Sequence, residues 1–293
     1  MDQEAASRAM GCGFFHGSSF GGLSMLDTLR EKAVRNLTSV RDQKPLVHSI
    51  TNFVVMNFTA NTLLAMGASP VMAHAEEEVE EMVSLAGALV LNIGTLSGPW
   101  IASMLKAGRK AAELHKPVIL DPVGAGATEF RTRTALEIME AAKPSVIRGN
   151  ASEILALART GSKTKGVDSL HTVEDLGDRV EEMALNQHAV FAVTGPRDLV
   201  TDGVRAVKVG NGHPLMSTIT GTGCAATVTI GAFLAVDPDP WSAAATALAF
   251  FGLAGEIGAS SCHGPGSFMT AFLDALYNLT PEALAAGCRF EQP

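Results

Sequence analysis

A glycine-rich segment directly before a long apolar stretch is the strongest chemical signal in the chain. Residues 220–224 read TGTGC, and an apolar run follows at 225–236. Glycines at the start of a helix let backbone N–H groups converge on an anion at the positive end of the helix dipole. A phosphate in transfer needs such fixed donors. The segment predicts an anion hole formed by Gly221, Thr222 and Gly223, although an ordinary glycine turn that leads into a core helix fits the same residues.

Cys224 follows these glycines and is expected to be the first residue of the helix. A helix N-terminus can lower the pKa of a thiol from about 8.5 toward neutrality. Such a thiol could accept a proton or attack as a covalent nucleophile. A small, inert core residue is the third interpretation.

Other candidate side chains follow predicted strands. Asp121 begins the segment DPVGAG, Arg148 and Glu153 lie in the segment RGNASE, and Thr194 precedes a glycine. A carboxylate can hold Mg²⁺, usually through water. Arg148 and the Thr194 hydroxyl suit phosphate, and Glu153 could share the metal with Asp121. Each residue alone also fits a turn cap, a helix-start acid or a surface ion pair, but together they form the set that metal-assisted phosphoryl transfer requires.

The elements that must position these residues alternate along the chain. Apolar runs predict strands at 46–50, 70–73, 88–93, 117–120, 145–147 and 190–193. Periodicity and caps predict helices from Ser24 to about Val40 and at 52–66, 76–85, 100–114, 134–142, 152–157, 173–185, 224–236, 241–257, 267–278 and 281–286. Short strands that are apolar on both faces and separated by helices indicate a parallel sheet covered on both sides. The turn Asp202-Gly203, between apolar segments 199–201 and 205–209, predicts an antiparallel hairpin at its edge. Because ligands of such sheets bind beyond the carboxyl ends of the strands, the candidate site lies there.

Composition excludes several classes of function. Of 293 residues, 22 are Lys or Arg and 30 are Asp or Glu, which gives a net charge of −8, and no basic run occurs. Aromatic residues make up 5%. A nucleic-acid binder would show a basic surplus or stacking aromatics, so we expect none. The segments GxxxxGK[ST] and an early GxGxxG are absent, so a nucleotide site would belong to another fold.

The cysteines and the apolar segments indicate the compartment. The four cysteines are Cys12, Cys224, Cys262 and Cys288, and no two of them have CxxC spacing, so we expect no zinc site. So few cysteines in a long chain favour a reducing, cytoplasmic location. The apolar run 225–236 is shorter than the ~20 residues of a membrane span. Residues 1–23 lack the features of a signal peptide and are expected to form a flexible tail before one domain over 24–293.

Several motifs together resemble one known family. The matching segments are 47–52, 67–72, 91–95, 121–124, 148–150 with Glu153, 193–195 and 221–224. In this order they resemble the hydroxyethylthiazole kinases of thiamine salvage, in the ribokinase-like superfamily, over about residues 26–284. The resemblance implies a three-layer α/β/α fold with a mostly parallel central sheet and an antiparallel edge. It implies ATP-dependent phosphorylation of the hydroxyl of 4-methyl-5-(2-hydroxyethyl)thiazole, by a homotrimer with sites between subunits.

The resemblance also implies roles for particular residues. Arg148 and Thr194 would contact ATP, Met72 and Gly221 would line the thiazole site, and Asn52 would lie close to it.

The same family pattern assigns the metal and the catalytic position. Asp121 and Glu153 would serve Mg²⁺, and Cys224 would be the catalytic residue at a position where many ribokinase-like kinases carry Asp. Since a thiol is a poor base, catalysis could depend mainly on positioning and on the anion hole.

Other functions remain open at the level of sequence. One is a related kinase of hydroxymethylpyrimidine or of a pyridoxal-like alcohol, although no substrate-loop signature of that branch occurs near the first strand. Another is a hydrolase with Cys224 as nucleophile, which needs a histidine base. Only His48 and His263 lie near candidate segments, and each is expected to be structural or on the surface. The last alternative function is a nucleotide-binding sensor that does not turn over its ligand.

Overall fold

The structure, a computed structural model, describes residues 24–158 and 173–293. The tail expected over residues 1–23 lies outside the described residues. The helices are α1 (Met25–Gln43), α2 (Met56–Met66), α3 (Val79–Leu85), α4 (Gly98–Glu113), α5 (Glu129–Ala142), α6 (Ala151–Ala158), α7 (Val173–Gln187), α8 (Thr222–Leu234), α9 (Pro240–Ser260), α10 (Pro265–Asn278) and α11 (Pro281–Gly287). The strands are β1 (Leu46–Ile50), β2 (Ser69–Val71), β3 (Ala88–Asn92), β4 (Val118–Asp121), β5 (Val146–Asn150), β6 (Val190–Thr194), β7 (Asp198–Thr201), β8 (Ala206–Val209) and β9 (Phe290–Glu291).

All strands belong to one nine-stranded sheet with the order β2-β1-β3-β4-β5-β6-β7-β8-β9. The strands from β2 to β6 pair in parallel, and β6 to β9 pair antiparallel. The predicted parallel sheet with an antiparallel hairpin at its edge is therefore confirmed. Strand β9 was not predicted, because its two residues carry no pattern of their own.

Buried apolar side chains fill both faces of the sheet. On one face, α1, α2 and α8–α11 contribute to one cluster, with Phe233 of α8 and Phe250 of α9 fully buried. On the other, α3–α7 contribute to a second cluster, which includes Met104 and Ile138. The predicted three layers are confirmed. Within the described residues, α9 is long and apolar enough to cross a membrane, but most of it is buried inside this core.

Helix and strand bounds differ from the prediction next to the candidate site. Residues 52–55 form a turn, because the Asn52 Oδ1 accepts the Val54 N–H at 3.1 Å, so α2 begins only at Met56. Helix α5 begins earlier than predicted, since the side chain of Thr128 caps it by accepting the Arg131 N–H. Local side-chain bonds of this kind set the ends of helices more than apolar periodicity does.

Candidate active site

The candidate residues meet where the parallel strands end. In the register of the sheet, Asn92 of β3 lies beside Asp121 of β4, and Asn150 of β5 lies beside Thr194 of β6. The N-terminus of α8 reaches the same edge. Adjacent strands lie about 4.8 Å apart, so these side chains come within contact distance of one another.

Two cavities open at this edge. The strand-end cavity, of about 380 Å³, is lined by Asn52, Val54, Val55, Gly94, Thr95, Asp121, Val123, Arg148, Asn150, Glu153, Thr220, Gly221, Gly223 and Cys224. The hairpin cavity, of about 600 Å³, is lined by Arg148, Thr194, Gly195, Pro196, Asp198, Asn211, Gly212, His213, Pro214, Met216, Ser217, Thr222, Gly223, Ala226, Leu248, Phe251 and Gly252. Arg148 and Gly223 line both cavities, so the two spaces meet at the start of α8.

Asp121 is fully buried and held by hydrogen bonds. Its Oδ2 accepts from the Asn92 Nδ2 and from the Thr227 Oγ1, each at 2.8 Å. Its Oδ1 lies 3.8 Å from the Arg148 Nη1 and has no hydrogen-bond partner. Burial raises the pKa of the carboxyl group, and the Arg148 charge opposes that shift only in part. Among the described residues, the Oδ1 is therefore a buried acceptor without a hydrogen-bond donor.

Cys224 lies in the same hydrogen-bond network, but its position in the helix and the pKa of its thiol differ from what the sequence suggested. It is the third residue of α8, not the first, and its Sγ lies 3.2 Å from the Asn92 Nδ2 and 3.7 Å from the Asn52 Nδ2. Burial and the negative charge of Asp121 raise the pKa of the thiol to about 12. The lowering toward neutrality that a helix N-terminus can cause is therefore not found at Cys224. At neutral pH the thiol is protonated, which does not suit a covalent nucleophile.

The start of α8 supports the predicted anion hole. Gly221 is the N-cap residue with φ of 90°, and no side chain caps the helix. The bond from the Ala225 N–H to the Gly221 carbonyl is the first of the helix ladder, so the N–H groups of residues 222–224 have no acceptor within the helix. The Thr222 hydroxyl donates to the Met216 carbonyl at 2.6 Å and does not cap the helix start.

Arg148 is fixed at the junction of the cavities. Its Nη2 donates to the Thr194 Oγ1 at 2.6 Å, and its side chain is 12% exposed. A Cβ at Gly223 would lie 2.7 Å from the Nη1, so only glycine lets the guanidinium approach the helix start. The structure thus brings Arg148, Thr194 and the predicted anion hole together.

Glu153 joins two of the loops beyond the strands. Its Oε1 accepts the Gly124 N–H at 2.8 Å and its Oε2 accepts the Asn150 N–H at 2.9 Å. Its negative charge raises the pKa of Asp121, after the larger effect of burial. No group of three or more His, Cys, Asp or Glu within the described ranges could enclose a metal ion. Two carboxylates in one cavity, one with an oxygen that lacks a donor, fit Mg²⁺, which keeps several of its waters.

The predicted substrate residues separate in the structure. Asn52 and Gly221 both line the strand-end cavity, and the Asn52 Nδ2 donates to the Asn92 Oδ1 at 2.8 Å. Met72 follows the edge strand β2, is half-buried, and lines neither cavity. His48 is buried with its Nε2 2.7 Å from the Ala73 carbonyl, and His263 is exposed. Neither histidine lines a cavity with Cys224, and among the described residues no histidine lines the strand-end cavity, which argues against a cysteine hydrolase.

Three functional residues were missed. Asn92 connects Asn52, Asp121 and Cys224, and its signal was a polar residue at the end of an apolar strand. Thr227 lies one turn after Cys224 on the same face of α8, which helical spacing could have shown.

The third is Arg131, for which no sequence signal was visible. It donates to the carbonyls of Ile93, Gly94 and Val123 and so joins the loops after β3 and β4.

Comparison with known proteins shows the family and the fold of the chain. The model of the hydroxyethylthiazole kinase family matches residues 37–282. The hydroxyethylthiazole kinase of Desulfotalea psychrophila is 60% identical over 260 residues, which cover 89% of this chain and 95% of that protein. The structure of hydroxyethylthiazole kinase from Pyrococcus horikoshii superposes with a TM-score of 0.83 at 45% identity, covering 90% and 99% of the two chains. A ribokinase-like superfamily protein of Enterococcus faecalis, 15% identical with a TM-score of 0.58 over 91% and 99% of the chains, shares the fold.

Proposed function

The chain belongs to the hydroxyethylthiazole kinase family, and from that premise we propose how its two cavities carry out the reaction. It is an ATP-dependent phosphotransferase that acts on the hydroxyl of the thiazole alcohol, and the family name connects it to thiamine synthesis. The proposal concerns which cavity takes which substrate and what each residue does.

ATP binds in the hairpin cavity and the thiazole alcohol in the strand-end cavity. The observation that carries this assignment is the start of α8: its uncapped N–H groups lie between the two spaces, where Arg148 and Gly223 line both. A volume of about 600 Å³ is within the usual range of small-molecule sites. The terminal phosphate of ATP would then lie where the two cavities meet, next to the hydroxyl of the thiazole alcohol.

The residues at this junction stabilise the charge of the phosphate. The Arg148 guanidinium, oriented by the Thr194 hydroxyl, meets its oxygens from one side, and the N–H groups that follow Gly221 meet them from the other. Phosphoryl transfer passes through a loose transition state, so positioning contributes more than removal of a proton.

The polar cluster at the ends of β3 and β4 orients the acceptor. Asn52 and Asn92 fix the Cys224 thiol, which at neutral pH is protonated and contacts the substrate hydroxyl as a polar group. Asp121 and Glu153 would hold Mg²⁺ through water, and the ion would supply positive charge that neutralises the phosphate.

The subunit arrangement follows from Met72. The residue lies outside both cavities of its own chain, next to the edge strand β2, while Phe53 is 65% exposed next to the strand-end cavity. Both observations support a neighbouring subunit that covers the thiazole site, and the family resemblance makes that assembly a homotrimer. The domain spans residues 24–293 and acts in the cytoplasm. Light scattering that shows a fully active monomer at micromolar concentration would remove the shared site.

The decisive assay measures ATP consumption with the thiazole alcohol, with and without Mg²⁺. We expect turnover with both present, and much less with hydroxymethylpyrimidine or pyridoxal in its place. Arg148→Met should weaken ATP binding about tenfold or more, because a charge-assisted contact contributes about 1.5–3 kcal/mol. Unchanged ATP affinity in this variant would exclude the assignment of the hairpin cavity.

A further inference from the structure

One wall of the hairpin cavity is a loop that is attached to distant parts of the chain. This cavity loop, residues 210–216, follows β8, and Asn211, Gly212, His213, Pro214 and Met216 line the cavity.

The cavity loop lies directly on α9. A Cβ at Gly252 would meet the backbone carbonyl carbon and oxygen of Asn211 at 2.6 Å, and one at Gly255 would collide with the Met216 side chain. Gly252, Gly255 and Glu256 have spacings of three and four residues and therefore share one face of the helix. Where the loop contacts it, the helix thus presents two glycines, which have no side chain, and one carboxylate.

Glu256 binds the loop and the C-terminal segment at once. Its Oε1 accepts the Gly212 N–H at 2.7 Å and the Asn211 Nδ2 at 3.1 Å. Its two oxygens also accept from the Arg289 guanidinium, at 2.9 Å and 2.5 Å. Burial alone would raise the pKa of Glu256, but the hydrogen bonds from Arg289 and Gly212 outweigh it and hold the pKa below its usual value. The carboxylate stays charged at neutral pH.

Arg289 binds the cavity loop as well as Glu256. Its guanidinium donates to the Gly210 carbonyl at 2.7 Å, and its backbone N–H donates to the Asn211 Oδ1 at 2.7 Å. Asn211 in turn donates to the Gly287 carbonyl at 3.0 Å. Every polar group of the 6%-exposed Asn211 side chain is therefore used to hold the loop.

We propose that Glu256 and Arg289 form a clamp that positions the cavity loop for the nucleotide. Neither side chain lines the cavity, so they act through Asn211 and Gly212, which do. The inference rests on the proposed function, because it takes the hairpin cavity as the ATP site. Loss of the clamp lets the loop move away from α9, and the nucleotide then loses one wall of its site while the strand-end cavity is unaffected.

The test separates the two substrates. Arg289→Met removes the guanidinium, Arg289→Lys retains the charge but not the paired geometry, and Glu256→Gln weakens the acceptor. We expect Arg289→Met and Glu256→Gln to raise the KM for ATP about tenfold, with Arg289→Lys between them and the wild type. The KM for the thiazole alcohol should change less than twofold. The matched control is Arg133→Met, which breaks the exposed Arg133–Glu137 pair of α5.

Melting temperatures with and without ATP accompany the kinetics, so that loss of folding is seen directly. A smaller ATP-induced rise in melting temperature than in the control supports the clamp even where turnover is low. Equal changes in both KM values, or changes no larger than in Arg133→Met, would overturn it. If Arg148→Met weakens ATP binding and the clamp variants do not, only the clamp is wrong; if Arg148→Met has no effect either, the assignment of the cavity itself fails.

Discussion

Replacement of Cys224 by serine separates two mechanisms that the position of this residue permits. With the pKa of the thiol raised to about 12, the thiolate fraction at pH 8 is about one in ten thousand. Its formation costs about 5 kcal/mol, at 1.36 kcal/mol for each pH unit. A base that is so rarely charged contributes little, whereas a protonated thiol held by Asn92 and Asn52 can still orient the substrate.

We therefore expect Cys224→Ser to keep at least about a tenth of the wild-type kcat, since a serine oxygen accepts the same amide hydrogens. Loss of a general base would cost about 10²–10⁴-fold. Cys224→Asp should retain or raise activity, because a carboxyl group starts from an ordinary pKa near 4, so that even after burial and the Asp121 charge raise it, it is charged far more often than the thiol and adds a base.

The assay is kcat against pH for the wild type and both variants, from about pH 6 to about pH 9, with both substrates saturating. Intact-mass analysis during turnover accompanies it. A wild-type kcat that rises about tenfold for each pH unit, together with a serine variant more than a hundredfold slower, would refute the positioning role. A covalent adduct on Cys224 with an inactive aspartate variant would establish a nucleophile instead.

Three other predictions address the metal, the packing of the site and its charge. Asp121→Asn and Glu153→Gln should reduce Mg²⁺-dependent turnover far more than thiazole binding, measured by Mg²⁺ titration and calorimetry; wild-type rates at limiting Mg²⁺ would contradict the metal assignment. Gly94→Ala places a methyl group onto the Asn52 side chain, so we expect the free energy of unfolding in urea to fall by about 1–3 kcal/mol. We also expect kcat/KM to fall at least about tenfold, and an unchanged kcat/KM would show that Asn52 is dispensable. Burial raises the pKa of Asp198 from 3.8 to about 6. The folded state therefore loses stability as pH rises through that interval, because the buried carboxyl group must give up its proton. Asp198→Asn should then be about 3 kcal/mol more stable than the wild type at pH 7 and equally stable below about pH 4, and equal stability at both values would count against the raised pKa.

Much of the fold could be predicted because its signals are local. Short apolar strands between amphipathic helices require two covered faces, and the turn at Gly203 indicates the antiparallel hairpin of β7 and β8. Parallel strands also end at the same edge, which is why the polar residues Asp121, Arg148 and Thr194 could be assigned to one site from the sequence. The two-residue strand β9 has no such pattern, since it forms only where β8 offers an unpaired edge.

The chemistry of the site depended on contacts between distant residues. The sequence shows that Cys224 follows glycines at a helix start, but its pKa depends on burial and on the charge of Asp121, more than a hundred residues away, which only the register of the sheet brings near. Asn92 became a central residue for the same reason, and Met72 proved to lie outside the cavities of its own chain. The sequence alone therefore determined the layers, the edge of the sheet and the types of reactive groups. Only the tertiary structure decided their protonation and partners, because both depend on distances through space that local patterns do not encode.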